Sequence, residues 1–121
     1  ILRRERLAER VRTETGPYLA KRWQELGDHP LVGEARISGL IGALELVKDK
    51  KRREFFPERG KVGTICRDFC VANGLIMRAT RDSMLIAPPL VISAAEVDEL
   101  IEKARRCLDL TLAEVRRQGW L

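Results

Sequence analysis

The sequence predicts an α+β fold, a small and mostly antiparallel sheet of about four strands with helices on one face. Three observations carry this. Apolar residues recur at helical spacing near both ends of the chain, at Leu7, Val11, Leu19, Trp23 and Leu26, and again from Val97 to Val115. Short runs rich in branched aliphatics lie between them, bounded by glycine and proline. The 121 residues suffice for one hydrophobic core and not for two. With 45% hydrophobic and 34% charged residues, disorder and collagen-like repeats are excluded.

Taken in order, residues 1–26 form a helix, and Gly16-Pro17 predicts a kink or break because proline lacks the N–H that the ladder needs. Gly27-Asp28-His29-Pro30 ends it. Leu31–Arg36 and Leu40–Val47 read as strands around Ser38-Gly39, and Gly42 within the second marks a bulge or a close backbone approach. Lys48–Glu54 is too charged for any core and forms a surface loop, after which Phe55-Phe56 returns to the body. Val62, Cys66, Phe69 and Cys70 define a short second helix, with Thr64 as its N-cap and Gly74 as the left-handed residue after it. Leu75–Arg78 and Met84–Ala87 flank the turn Arg81-Asp82-Ser83 as a hairpin, which Pro88-Pro89 stops. Ser93 and Glu96 make a capping box for a long last helix whose stripe is Val97, Leu100, Ile101, Ala104, Leu108, Leu112 and Val115, ending near Gly119.

The 23 Lys and Arg against 18 Asp and Glu leave a net charge of +5, but acids are mixed among the bases, which reads as solvated surface. No apolar run is long enough to span a membrane and no secretion signal is visible, so a soluble, cytoplasmic protein is expected. Ile1 stands where a methionine would begin a whole chain, which fits a piece of a longer protein. Cys66, Cys70 and Cys107 read as small core residues in a reducing compartment, since they and one histidine do not complete a metal set. His29 reads as a turn residue without an acid–base partner. Lys50–Arg53 with Arg3, Arg4, Arg6, Arg10 and Arg12 offers a nucleic-acid footprint, the basis of an alternative reading as a free-standing basic binding module; few stacking aromatics accompany it. A structural adaptor is the third reading. Arg78 ends an apolar run, where a guanidinium can reach out of a sheet to grip a carboxylate, although by position alone it reads as a surface arginine.

Four segments are then read together: Ile1-Leu2-Arg3-Arg4-Glu5-Arg6-Leu7 with Gly16-Pro17-Tyr18-Leu19; His29–Arg36 with Gly39–Leu46; Asn73-Gly74-Leu75-Ile76-Met77-Arg78; and Ala87-Pro88-Pro89-Leu90-Val91-Ile92-Ser93. In order and spacing they resemble the C-terminal small domain of the class III aminotransferases, pyridoxal-phosphate enzymes of fold type I that act largely on ω-amino acids and amines. The resemblance implies one domain over 1–121, with 1–26 as the helix leading from a large domain. It implies that Arg78 pairs with the substrate carboxylate. It also implies that the cofactor, its lysine, its phosphate cup and its stacking aromatic belong to the large domain, so that this chain alone is inactive. The parent is expected to be a homodimer that exchanges an amino group between an amine or ω-amino acid and a keto acid such as pyruvate, with no metal, nucleic acid or membrane involved. Ile37 and Arg81 stand where that family often has glycine.

Overall fold

The computed structural model describes residues 6, 8–88 and 92–121. Three helices, α1 (Gly16–Glu25), α2 (Lys61–Ala72) and α3 (Ala94–Arg117), accompany four strands, β1 (Val32–Ser38), β2 (Ile41–Leu46), β3 (Arg78–Thr80) and β4 (Ser83–Ile86). The sheet is antiparallel throughout in the order β1-β2-β4-β3. The α+β prediction therefore holds. Side chains alternate across the sheet, with Leu44, Leu46, Met84 and Ile86 buried under the helices and Ala43, Glu45, Ser83 and Leu85 half-exposed on the other face.

Of the kink or break expected at Gly16-Pro17, the break does not occur and the helix is distorted instead. The helix runs through these residues by widening into a π turn over Val11–Thr15, in which the Gly16 N–H donates to the Val11 carbonyl. The wide turn shifts the carbonyls that a proline ring would strike, so Pro17 enters at the start of α1 without ending the helix. Gly16 is required there, because a Cβ on it would lie 2.2 Å from the Val11 oxygen. A one-turn 3₁₀ segment, Leu26–Asp28, then closes the helix.

Gly42 marks a close approach and not a bulge. The Trp23 ring lies where its Cβ would be, 2.7 Å from Cε2, and the Trp23 indole N–H donates to the Ala43 carbonyl at 3.3 Å. Trp23 is wholly buried, and removing a tryptophan side chain from water contributes roughly 4–6 kcal/mol. The one irregularity in the ladder falls in β1 between Val32 and Glu34, where Gly33 lets Val47 pack against its backbone.

The predicted N-cap of the second helix is also corrected. Thr64 lies inside α2, whose N-cap is Gly60 at φ +96° with no side-chain cap of its own. The cap arrives from elsewhere: Asp82 Oδ1, in the β3–β4 turn, accepts the Gly60 N–H at 3.1 Å and the Gly63 N–H at 2.9 Å. Asp82 is 1% exposed, so these bonds hold a buried carboxylate. Its backbone carbonyl also accepts from Leu46 N at 2.8 Å, which ties the turn to β2. The turn presses so closely on α2 that a Cβ on Gly63 would meet the Arg81 oxygen at 2.1 Å.

The helix ends follow the sequence. Gly74 at φ +76° closes α2 with Gly74 N to Val71 O and Leu75 N to Cys70 O, and Gly119 at φ +76° closes α3 with Gly119 N to Arg116 O and Trp120 N to Val115 O. The Ser93–Glu96 capping box is present in both directions. The buried α3 stripe is as predicted, with Cys107 and Thr111 added; Leu112 is half-buried. Phe56 is buried, whereas Phe55 stays 39% exposed with the Arg59 guanidinium 4.3 Å above its ring. The expectations for residues 1–5, Leu7 and Pro89–Val91 lie outside the described residues.

Asp82→Ala should lower unfolding stability by about 2–4 kcal/mol, since it strands the buried Gly63 N–H and the part-buried Gly60 N–H, and Asp82→Asn should recover part of that because its amide oxygen still accepts; urea melts of both variants check this. Gly16→Ala should cost about 1–3 kcal/mol by forcing the π turn open, read as a lowered midpoint in the same assay.

Candidate functional site

The structure places Arg78 at the start of β3 and not at the end of a strand, because Leu75–Met77 lies outside the ladder. β3 is an edge strand, and the side chain of Arg78 is exposed on the sheet face away from the helices. Pairing sets Arg78 opposite Leu85, Leu85 opposite Ala43, and Ala43 opposite Arg36, so these four form one row across the open face. Leu85 and Ala43 are half-buried and give that row an apolar centre. At about 4.8 Å per strand the two arginines stand roughly 14 Å apart at their backbones.

Their surroundings differ. The adjacent row on this face is Glu34, Glu45, Ser83 and Thr80, which sets two carboxylates beside Arg36 and two hydroxyl residues beside Arg78. Among the described residues Arg78 makes no ion pair. A guanidinium with five donors, no acidic neighbour in the ladder and an apolar flank is suited to an anion from outside the chain. Sequence reasoning singled out Arg78 but missed Leu85 and Ala43, which become its neighbours only through the strand register.

Arg81 follows β3 in the hairpin turn at φ +55°, a backbone region that glycine occupies without cost. Its side chain is exposed. Ile37, the other departure from the family pattern, sits half-buried in β1 opposite Gly42.

His29 has the partner that the sequence did not reveal. It is 4% exposed, its Nε2 lies 2.8 Å from Asp109 Oδ1, and its Nδ1 accepts the Leu31 N–H at 3.2 Å. The acceptor role leaves Nδ1 without a proton, so the ring is neutral and Nε2–H donates to Asp109. Burial lowers its pKa, against the opposing pull of the Asp109 hydrogen bond. Both nitrogens are committed, and His29 pins the turn between α1 and β1 to α3. Cys66, Cys70 and Cys107 are free, buried core residues as expected. The Cys66 contact and burial push the Cys70 thiol up, and burial does the same to Cys107, so both stay protonated. No group of three or more His, Cys, Asp or Glu among the described residues is arranged to hold a metal ion. No helix among them is long and apolar enough to cross a membrane.

The lysines do not fit a covalently held aldehyde cofactor. Lys21, Lys50, Lys51 and Lys61 are exposed, and half-buried Lys48 and Lys103 lie 4.0 Å from Glu54 and 3.0 Å from Glu99. None is desolvated, the condition that would free its amine for a carbonyl. Of the basic residues of the expected footprint, Lys50 donates to the Gly27 and His29 carbonyls and Arg10 to the Ile92 carbonyl, while Arg3 and Arg4 lie outside the described residues.

Acid titration should expose the role of His29. Because the unfolded imidazole takes up a proton near pH 6.5 and the folded one resists it, stability should fall as pH is lowered below about 6.5. His29→Asn should be less stable at pH 7 and should lose that slope between pH 6.5 and 5 in urea melts; a variant with the parental slope would refute the assignment.

No family model matches the chain. Over 95% of its length it is 62% identical to a putrescine–pyruvate aminotransferase of Pseudomonas aeruginosa, and over 93% it is 38% identical to an uncharacterized aminotransferase of Schizosaccharomyces pombe. Among solved structures, a PMP-bound aminotransferase from Vibrio fluvialis superposes with a TM-score of 0.85 at 35% identity over 92% of this chain, and a thermostable omega transaminase from Pseudomonas jessenii with 0.83 at 36% over 92%. The chain spans only 25% and 26% of the two relatives and 24% of each of the two structures. The nucleic-acid alternative finds no support among these matches. Sequence and fold agree along nearly the whole chain, which belongs to the aminotransferase family as a segment about a quarter of a member's length.

Proposed function

We propose that these residues are the C-terminal small domain of a class III aminotransferase, with 1–26 as the helix leading out of a large domain. The whole protein then transfers an amino group between an amine or ω-amino acid and a keto acid such as pyruvate. The observation that carries the site is the placement of Arg78 on the open sheet face, exposed, beside apolar Leu85 and Ala43 and away from every carboxylate of the ladder. The 62% identity to an aminotransferase named for putrescine and pyruvate supports the substrate class.

In this reading, pyridoxal phosphate supplies the electron sink for amino transfer and is held by residues outside this chain, a reading supported by the exposed or half-buried state of its six lysines. This chain's task is recognition. Arg78 receives the keto-acid carboxylate through paired N–H donors, Leu85 and Ala43 offer an apolar surface to the carbon next to it, and Arg36 stands at the far end of the row beside Glu34 and Glu45. An amine substrate with no carboxylate leaves Arg78 in water, which costs little because the side chain is already exposed. A cytoplasmic homodimer completes the proposal.

In the full-length protein, Arg78→Ala should weaken kcat/KM for the keto acid roughly thirtyfold, the equivalent of about 2 kcal/mol for a charge-assisted pair. The half-reaction with an amine that carries no carboxylate should change much less. Equal losses in the two half-reactions would remove the carboxylate role. The 121-residue chain mixed with pyridoxal phosphate and an amine should show no turnover.

A further inference from the structure

The segment leading into β3 carries an apolar surface that the packing of the domain leaves uncovered. Burial alternates along it: Leu75 and Met77 are buried, whereas Ile76, Arg78 and Thr80 are exposed. Ile76 therefore falls on the same side of the chain as Arg78, two residues or roughly 7 Å before it. At 85% exposure it is the barest large hydrophobic among the described residues. It is not an isolated side chain. Ile76, exposed Ala87 and half-buried Pro88 form one apolar lip over a groove between this segment and α3, and Ile86, Ile92 and Leu100 support it from beneath. The three charged residues of the groove are already engaged: Glu96 accepts the Ser93 N–H, and Lys103 pairs with Glu99 at 3.0 Å. What the groove has left to offer is apolar area.

We propose that Ile76, with Ala87 and Pro88, is the seat of the rest of the same polypeptide, the body that carries the cofactor. The inference rests on the reading of these residues as one domain of a longer aminotransferase. Two observations select this occupant. The chain spans only 24–26% of the proteins it matches, so about three-quarters of a member's length has still to be placed around it. Arg78, for its part, can serve amino transfer only where a cofactor held outside this chain comes up to its side, and Ile76 stands on that side. A body joined to this domain by the chain itself reaches the seat without the cost of bringing two molecules together, which favours it over a free partner. Covering Ile76 gives Arg78 an apolar wall on one flank and fixes its distance from the cofactor.

Both tests use the full-length protein. In the first, the Ile76→Cys thiol is reacted with a maleimide under native conditions and in urea, and modification of that position is read by mass spectrometry, which separates it from buried Cys66, Cys70 and Cys107. An occupied seat should slow native labelling about 100-fold or more relative to the unfolded chain. Labelling close to the unfolded rate, or slowed only after a keto acid is added, would overturn the proposal. In the second, Ile76→Met, a substitution of similar volume, carries photo-methionine. Irradiation should link position 76 to a peptide from outside the 121 residues, within chains that remain single on a denaturing gel. A link through position 76 between two chains would assign the seat to a second copy, and links confined to the 121 residues would leave the rest of the polypeptide no part in it; either result refutes the inference. The kinetics of Arg78→Ala report separately: equal losses in the two half-reactions with a protected Ile76→Cys thiol would strike the carboxylate role alone, and the converse would strike the seat alone.

Discussion

The carboxylate of Asp82 is the contact on which the arrangement of the sheet depends. Both donors that it caps belong to the start of α2, and its backbone carbonyl holds β2, so one residue joins the hairpin turn to a helix and to a central strand. A buried carboxylate is costly unless donors and opposite charge compensate it. Here Oδ1 takes two N–H groups, while buried Oδ2 has no hydrogen-bond partner among the described residues and only the Arg59 guanidinium, 3.7 Å away, as its counter-charge. Gly60 and Gly63 complete the fit, the first by its left-handed backbone and the second by leaving room for the Arg81 carbonyl.

The register of β3 follows from that anchor. With Arg81 and Asp82 forming the turn, Thr80 pairs with Ser83 and Arg78 with Leu85. A slip of one residue would carry Arg78 onto the helix-covered face, where Met84 and Leu44 are packed, and would bury an unpaired guanidinium. The direction in which Arg78 points is therefore decided by a carboxylate four residues further along the chain. Arg81 bears part of the local cost, as a non-glycine residue at positive φ.

Much of the fold was legible because its signals are local. The capping box at Ser93 and Glu96, the left-handed glycines at 74 and 119, and the stripe of α3 each rest on residues within a turn or two of one another. The misreadings share the opposite cause. Pro17 is a helix breaker by local rules, yet Gly16 upstream lets the helix widen around it. Thr64 has the chemistry of a cap, but the true cap comes from a turn 19 residues away from Gly63. His29 lacks a partner within its own turn and finds Asp109 at a separation of 80 residues.

By itself, the sequence determined the class of fold and the order of its elements, because periodicity and punctuation are properties of residues near one another, and its resemblance to aminotransferases is what singled out Arg78. Only the tertiary structure decided which face of the sheet Arg78 occupies, that Leu85 and Ala43 flank it while Glu34 and Glu45 stand beside Arg36, and that Ile76, Ala87 and Pro88 gather along one groove. Strand register and helix packing set those neighbours, and both depend on contacts between residues far apart in the chain.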